Sequence, residues 1–395
     1  MAARSGKHLI QVLLQASEKS AKIARAWRCQ EELFELMVEE KEEKEKNSRF
    51  VHDFKTLADV LVQEVVKHDV IQEFPQLSGF IFGEESNKFT NSTGEEIIIT
   101  VKEDSSATAN HLVEVLCGNE RAAHLLAGLI HNDAALEVNE MQVLEDKLDF
   151  ELPLEKLAIW IDPIDCTSQY MSNSSPREVD GVVVSGLPCA TVLIGVFHRE
   201  TGDPVAGVIN QPFSVLTKDS QNNNKWTGRR LWGVSYHEHL CNFLGNTDHR
   251  SCQGERDLDA TALRIAISGS EREEIKTSLS SSGAKLFTIS GVGHKLLNVI
   301  DGNVDFYILS HATSFKWDTC AAHAILCSMG GGMVTYSQAL SLRSARKEVD
   351  KTSLNNCKIS YHTPDNKQGK EWSNTNGVIA FHSFEKVFKL LEYLK

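Results

Sequence analysis

Two aspartates three residues apart close an apolar run at Trp160-Ile161-Asp162-Pro163-Ile164-Asp165-Cys166-Thr167-Ser168. Residues 157–161 read as a buried strand, which delivers both carboxylates to its end. Pro163 fixes φ between them and has no N–H to donate. Asp165 is then expected to cap a short helix whose first N–H groups belong to Cys166, Thr167 and Ser168. Paired carboxylates suit a hard divalent cation, and a free helix N-terminus suits a phosphate. The nine residues predict metal-assisted phosphate chemistry.

Four more acidic residues stand where an uncompensated charge is costly to bury. Asp59 lies on an expected helix beside Val60-Leu61-Val62. Glu84 and Glu85 follow the strand Phe80-Ile81-Phe82 directly after Gly83. Asp318 precedes the small, apolar run from Cys320. Each has an ordinary explanation: an N-cap for Asp318, loop charges for Glu84 and Glu85, a solvated face for Asp59. The set is far more specific than any member. Cys166 invites a nucleophile reading at a helix start. However, no cysteine here is followed by five residues and an arginine, so Cys166 reads as a close-packing residue. His237-x-His239 lacks a third ligand at a useful spacing and reads as solvated loop.

Gly291 and Gly293 follow an expected strand, but Leu296 stands where a dinucleotide fingerprint needs a third small residue. The glycines are expected to let the backbone approach a ligand, with Lys295 supplying charge to a second phosphate. Ser270 and Glu273 have the spacing of a capping box.

A chain of 395 residues suggests two lobes sharing a site. Its net charge of −13 argues against nucleic acid or an anionic membrane as partner, so an anionic substrate needs bound cations and a local lysine. The nine cysteines form no CxxC pair, which favours free thiols and a cytoplasmic setting. The apolar stretch 181–197 is broken by Ser185, Pro188 and Thr191, so a soluble protein is expected. Residues 8–46 are expected to be helical, ending in a mixed-charge tail, and 56–67 form a second helix. Residues 107–150 also read as helical. From 182 to 232 the texture is β, with strands at 189–197, 205–210 and 230–234. A polar boundary is expected at 238–259. Beyond it strand and helix alternate, which favours a parallel or mixed sheet with covering helices.

Gly83-Glu84-Glu85, Asp162-Pro-Ile-Asp-Cys-Thr167 and Trp317-Asp318-Thr-Cys-Ala-Ala322 stand in the order found in the lithium-sensitive, magnesium-dependent phosphatases related to inositol monophosphatase, and the chain resembles that family. The resemblance covers about Ala16 to Ala380 and is closer to the branch acting on inositol polyphosphates, through residues 53–65, 81–87, 207–213 and 315–326. It implies an α/β (α+β) layered αβαβα sandwich. A mostly antiparallel N-terminal lobe (1–257) would bind metal, and a mixed C-terminal lobe (258–395) would contribute Asp318 and the specificity residues. It implies two or three Mg²⁺ ions, with Glu84, Asp162 and the Ile164 carbonyl on one, Asp162, Asp165 and Asp318 on a second, and Asp59 with Glu84 near a third. Oxygen ligands of this kind favour Mg²⁺ over zinc. Thr167 paired with Asp59 would orient or deprotonate the attacking water, and Glu85 would assist. Cys166, Thr167 and Ser168 would hold the phosphate, and Ser268, Ser270, Gly291 and Lys295 the substrate wall. The implied reaction, in a monomer inhibited by Li⁺, removes the 1-phosphate of inositol 1,4-bisphosphate and inositol 1,3,4-trisphosphate. The alternatives are a 3′(2′),5′-bisphosphate nucleotidase and an inactive metal-binding interaction protein. The chain departs from the pattern at Ser310-His311-Ala312-Thr313-Ser314 and at His294, which bears on substrate selectivity rather than on the metal carboxylates.

Overall fold

The computed structural model of the chain describes residues 8–28, 38–40, 54–91, 94–218, 224–245, 262–344, 350–364 and 371–394. Two sheets form the frame. The larger has six strands, in the order His239–Phe243, Asn224–Tyr236, Pro204–Lys218, Thr191–His198, Leu157–Asp165 and Ile81–Gly83. All neighbours are antiparallel except the last pair. The other has five, in the order Lys285–Thr288, Arg264–Ile267, Phe306–Leu309, Val378–Phe381 and Gly332–Thr335. Its first two pairings are parallel and its last two antiparallel.

Helices Leu9–Arg28 and Leu57–Glu73 bury their apolar faces on one side of the six-stranded sheet, against Ile159, Ile161, Ile194 and Val208. Helices Val292–Ile300 and Lys316–Ser328 lie between the sheets, touching Ala158, Trp160 and Leu193 on one and Tyr307, Leu309 and Ala380 on the other. Glu273–Ser281, Tyr336–Ser344 and Phe384–Tyr393 close the far face through Leu279, Ala339 and Leu390. The layers therefore alternate helix, sheet, helix, sheet, helix, as expected. Because both faces of Leu157–Asp165 are covered, all nine of its residues are buried, which is why it reads as a continuous apolar run rather than an alternating one.

One crossing fixes the distance between elements. Gly207 pairs with Gly195 on one side and Gly233 on the other, so three glycines line up across three adjacent strands. Helix Lys316–Ser328 lies on that row. A Cβ at Gly207 would stand 2.0 Å from the Ala321 carbonyl oxygen, one at Gly195 2.5 Å from Cys320 Cβ, and one at Gly233 2.9 Å from Ile325 Cα. The helix rests directly on the sheet backbone. Elsewhere Arg230 ties layers together, donating to Glu18 at 2.7 Å and to the buried Glu140 at 2.7 Å.

Several elements depart from expectation. The first helix is described over Leu9–Arg28, and Val38–Glu40 is a strand antiparallel to Phe54–Thr56. At Val38–Glu40 the backbone finds a ladder partner in Phe54–Thr56, and that pairing replaces the expected helix there. The rest of the expected helix, 29–37 and 41–46, lies outside the described residues, as do 246–259 of the expected boundary. The 56–67 helix runs on to Glu73, with Thr56 as its N-cap. Residues 107–150 divide into Ser105–Val115, Glu120–His131 and Val138–Lys147. Strands Pro204–Lys218 and Asn224–Tyr236 outrun their apolar cores because Val215–Lys218 pair with 224–227 at the exposed end. The Ser270–Glu273 capping box does not form: Glu273–Ser281 starts after Arg272 with no side-chain cap, and Glu273 pairs with Lys276 at 2.8 Å. Among the described residues no helix is long and apolar enough to cross a membrane.

Candidate metal centre

In a regular strand, residues three apart face opposite sides, so Asp162 and Asp165 should diverge. They converge because the register against Thr191–His198 slips between them: Asp162 stands opposite Leu193 and Asp165 opposite Thr191. Three steps on one strand match two on the other. This is a bulge, placed where Pro163 has no N–H to give the ladder. The extra residue restores parity and turns both carboxylates to one side.

Asp318 joins them from helix Lys316–Ser328. One carboxylate oxygen from each of Asp162, Asp165 and Asp318 lies within 4.8 Å of the others, and all three residues are buried. Asp318 is not an N-cap. It occupies the third helical position, where its carboxylate accepts the Phe315 N–H at 2.6 Å. Asp59 has the same placement at the start of Leu57–Glu73, accepting the N–H and the hydroxyl of Thr56, each at 2.6 Å. Thr56 and Asp59 form a capping box, whose Thr-x-x-Asp spacing went unread in the sequence.

Asp165 departs from expectation. It does not cap the helix Thr167–Ser172, whose N-cap position is taken by Cys166 in the left-handed region at φ 70°. Its carboxylate instead accepts the N–H groups of Val292 at 3.2 Å and Gly293 at 2.8 Å, so it caps helix Val292–Ile300, far along the chain. Gly291 makes this possible: φ is 72°, and a Cβ there would lie 2.7 Å from Asp165 Oδ2. Buried Lys295 donates to the Gly291 carbonyl at 2.9 Å and holds positive charge near Asp165.

Crowding these carboxylates favours their protonated forms. Burial pushes Asp162 well above the usual carboxylate range, and the charges of Glu84, Asp165 and Asp318 push it further. Burial, Asp165 and Glu84 do the same to Asp318, partly offset by the Phe315 N–H. Asp165 is also raised by burial, with Lys295 and the Gly293 and Val292 N–H groups pulling it back. Asp162 Oδ1 is buried with no hydrogen-bond partner among the described residues. An orphaned carboxylate oxygen inside an all-oxygen, net-negative cluster is the donor set a hard divalent cation requires. The residues fit Mg²⁺.

The Glu84 N–H donates to the Ile161 carbonyl at 3.1 Å, and its charge reaches all three aspartates. Glu85 is buried. The Thr167 hydroxyl donates to the Ile164 carbonyl at 3.1 Å. Ser168 is exposed on the second residue of the 167–172 helix. Cys166 packs under Gly291, whose Cβ position lies 3.0 Å from Cys166 Cβ. Ser268 is buried with its hydroxyl unpartnered among the described residues, whereas Ser270 is exposed. His239 stacks on Phe150 at 4.0 Å in a strand, rather than lying solvated in a loop. Sequence reasoning missed Glu271. It is buried, accepts the Ser310 N–H at 3.0 Å and the Ser310 hydroxyl, and so anchors the segment leading to Asp318. A glutamate next to a strand end was its only signal.

The model of the inositol monophosphatase family matches residues 10–370. The chain belongs to the inositol monophosphatase family. It is 41% identical over 398 residues to an inositol polyphosphate 1-phosphatase of Homo sapiens, covering 98% of this chain and 96% of that one. To the protein of the same description from Bos taurus it is 42% identical over 401 residues, with the same coverage. A 3′(2′),5′-bisphosphate nucleotidase 1 of Dictyostelium discoideum is 29% identical over 182 residues, covering 46% of this chain and 52% of that one. This member of the inositol monophosphatase family is a phosphatase, a hydrolase of phosphate esters whose site contains a buried acidic cluster suited to metal.

Proposed function

We propose that the enzyme removes the 1-phosphate from inositol 1,4-bisphosphate and inositol 1,3,4-trisphosphate, depends on Mg²⁺ and is inhibited by Li⁺. The observation that carries the reaction class is the convergence of buried Asp162, Asp165 and Asp318 with an unpartnered carboxylate oxygen. Near-complete coverage of relatives described as inositol polyphosphate 1-phosphatases supports the substrate, and the nucleotidase match covers only half as much.

In this reading Glu84, Asp162 and the Ile164 carbonyl would hold one ion, Asp162, Asp165 and Asp318 a second, and Asp59 with Glu84 a third. When bound, Mg²⁺ supplies positive charge that acidifies water and offsets the phosphoryl oxygens. Asp59 holds its carboxylate on Thr56, ready to accept a proton from the attacking water through the Thr167 hydroxyl, with Glu85 assisting. Turning the Thr167 hydroxyl from the Ile164 carbonyl toward Asp59 frees that carbonyl as a ligand. Cys166, Thr167 and Ser168 N–H groups receive the phosphate, and Ser268, Ser270, Gly291 and Lys295 face the ring. The lobes 1–257 and 258–395 meet at this site, and the protein acts as a cytoplasmic monomer.

A substrate panel with and without Mg²⁺ and Li⁺ tests the reading. Mg²⁺-dependent phosphate release from the two inositol phosphates is expected, with loss in Li⁺. Preference for adenosine 3′,5′-bisphosphate would overturn the substrate assignment, and no release from any ester would favour the inactive binding protein. The Asp59→Asn variant should keep the fold, because the amide oxygen still accepts from Thr56, and lose turnover about 10²–10⁴-fold, the range for a lost general base. Stopped-assay turnover together with circular dichroism checks this.

A further inference from the structure

Helix Leu57–Glu73 presents two buried polar residues one turn apart: Asp59, and Gln63, which is fully buried. The Gln63 side chain reaches across to the loop after strand Ile81–Gly83. Its Oε1 accepts the Glu85 N–H at 3.0 Å, and its Nε2 donates to the Glu85 carbonyl at 2.5 Å. An amide that both accepts from and donates to one residue bonds it as a neighbouring strand would. It thereby satisfies the main-chain N–H and C=O of Glu85.

The sequence has made room for it. A Cβ at Gly83 would lie 1.9 Å from Gln63 Oε1 and 2.4 Å from its Cδ, so only glycine admits the amide. Glu84 sits between two anchors. On one side its own N–H is held by the Ile161 carbonyl at 3.1 Å, one residue before Asp162; on the other, both main-chain groups of Glu85 are held by Gln63.

We propose that Gln63 is a positioning residue for the metal centre: by clamping the main chain beyond Glu84 it fixes the Glu84 carboxylate beside Asp162 and sets the affinity for the divalent ion. This rests on the reading of Glu84 as a metal ligand. Gln63 has no part in the chemistry; its contribution is a ligand that need not be ordered when the ion arrives.

Titration of MgCl₂ into full-length parent protein, Gln63→Leu and Gln63→Glu, followed by calorimetry with no substrate present, tests the proposal. Leucine keeps the volume and removes both bonds. Glutamate, when ionised, still accepts the Glu85 N–H but faces its carbonyl without a proton. Mg²⁺ should bind about 10–100-fold more weakly to the leucine variant, the usual cost of losing an orienting partner of a ligand, and the glutamate variant should be intermediate. A purely structural role would lower the unfolding temperature and leave the dissociation constant of the folded variants unchanged, and that result overturns the proposal. If Gln63→Leu does not fold, Gln63→Met, which is flexible and also lacks both bonds, decides: parent-like Mg²⁺ affinity refutes the clamp, and weakened affinity supports it. A parent protein that binds no Mg²⁺ would overturn the ligand reading itself, an outcome separate from the other two.

Discussion

The Asp162→Asn protein is expected to release phosphate about a thousandfold more slowly than the parent or worse, a loss of roughly 4 kcal/mol in the barrier. In EDTA near pH 8 it should nonetheless unfold at a higher temperature. The two effects have one cause. Asp162 is raised well above the ordinary carboxylate range by burial and by Glu84, Asp165 and Asp318. A group whose folded pKa lies above its unfolded value of about 3.9 stabilises the fold fully only below that unfolded value. The contribution is lost as pH rises through the raised folded pKa. Metal-free parent protein therefore loses stability upward from about pH 4, whereas asparagine has no such proton to lose. Added Mg²⁺ should reverse the order, since ligand present at 100 times its dissociation constant adds about 2.7 kcal/mol to the parent. Thermal unfolding from pH 5 to 8, with EDTA and with Mg²⁺, reads both arms. Identical curves for the two proteins in EDTA would mean that the carboxylates are not held against their own repulsion.

The second large effect is expected at Gly207. In Gly207→Ala the new methyl carbon would stand 2.0 Å from the Ala321 carbonyl oxygen and 2.6 Å from its carbon. The obstacle is backbone, which cannot rotate aside as a side chain does. The cost should be about 3 kcal/mol, at the upper end for overpacking. If the helix yields by an ångström, Asp318 moves with it, and turnover should fall about 100-fold. Urea unfolding and Mg²⁺-dependent turnover measure the two. Gly128→Ala is the control: it lies within helix Glu120–His131 and, beyond its own helix backbone, no atom of the described residues lies within 4 Å of the added carbon, so it should be neutral or stabilising by up to about 1 kcal/mol. Equal behaviour of the two variants would show that the row does not set the helix height.

The strand–helix alternation and the identity of the acidic cluster were legible in the sequence because each rests on local pattern, whereas the layer order was implied by the family resemblance. Residues 157–161 are uninterruptedly apolar, and the alternation after residue 262 produced strands and helices close to their expected places. What was hidden depends on pairing. The bulge that turns Asp162 and Asp165 to one side is defined only against the partner strand. The Asp165 cap was assigned to the next helix in sequence, whereas it serves one beginning 127 residues later. The Ser270–Glu273 spacing matched a capping box, yet Arg272 is the N-cap and buried Glu271 engages Ser310 instead. Gln63 looked like one polar residue in an apolar helix, because its partner, Glu85, is 22 residues away. In each case the chain alone gives residue types, and the contact is made by topology.

The three glycines under helix Lys316–Ser328 act as a gauge. Asp162 is on a strand of that sheet and Asp318 on that helix, so the gap between the two carboxylates is set by the thickness of two backbones in contact. A backbone contact has no rotamers. The dimension therefore has no alternative settings to average over and none to freeze out when a cation enters. Side chains elsewhere in the middle layer can change size and alter stability while leaving that gap as it is, provided no carbon is added to the row. The site's tolerance is a property of what Gly195, Gly207 and Gly233 lack.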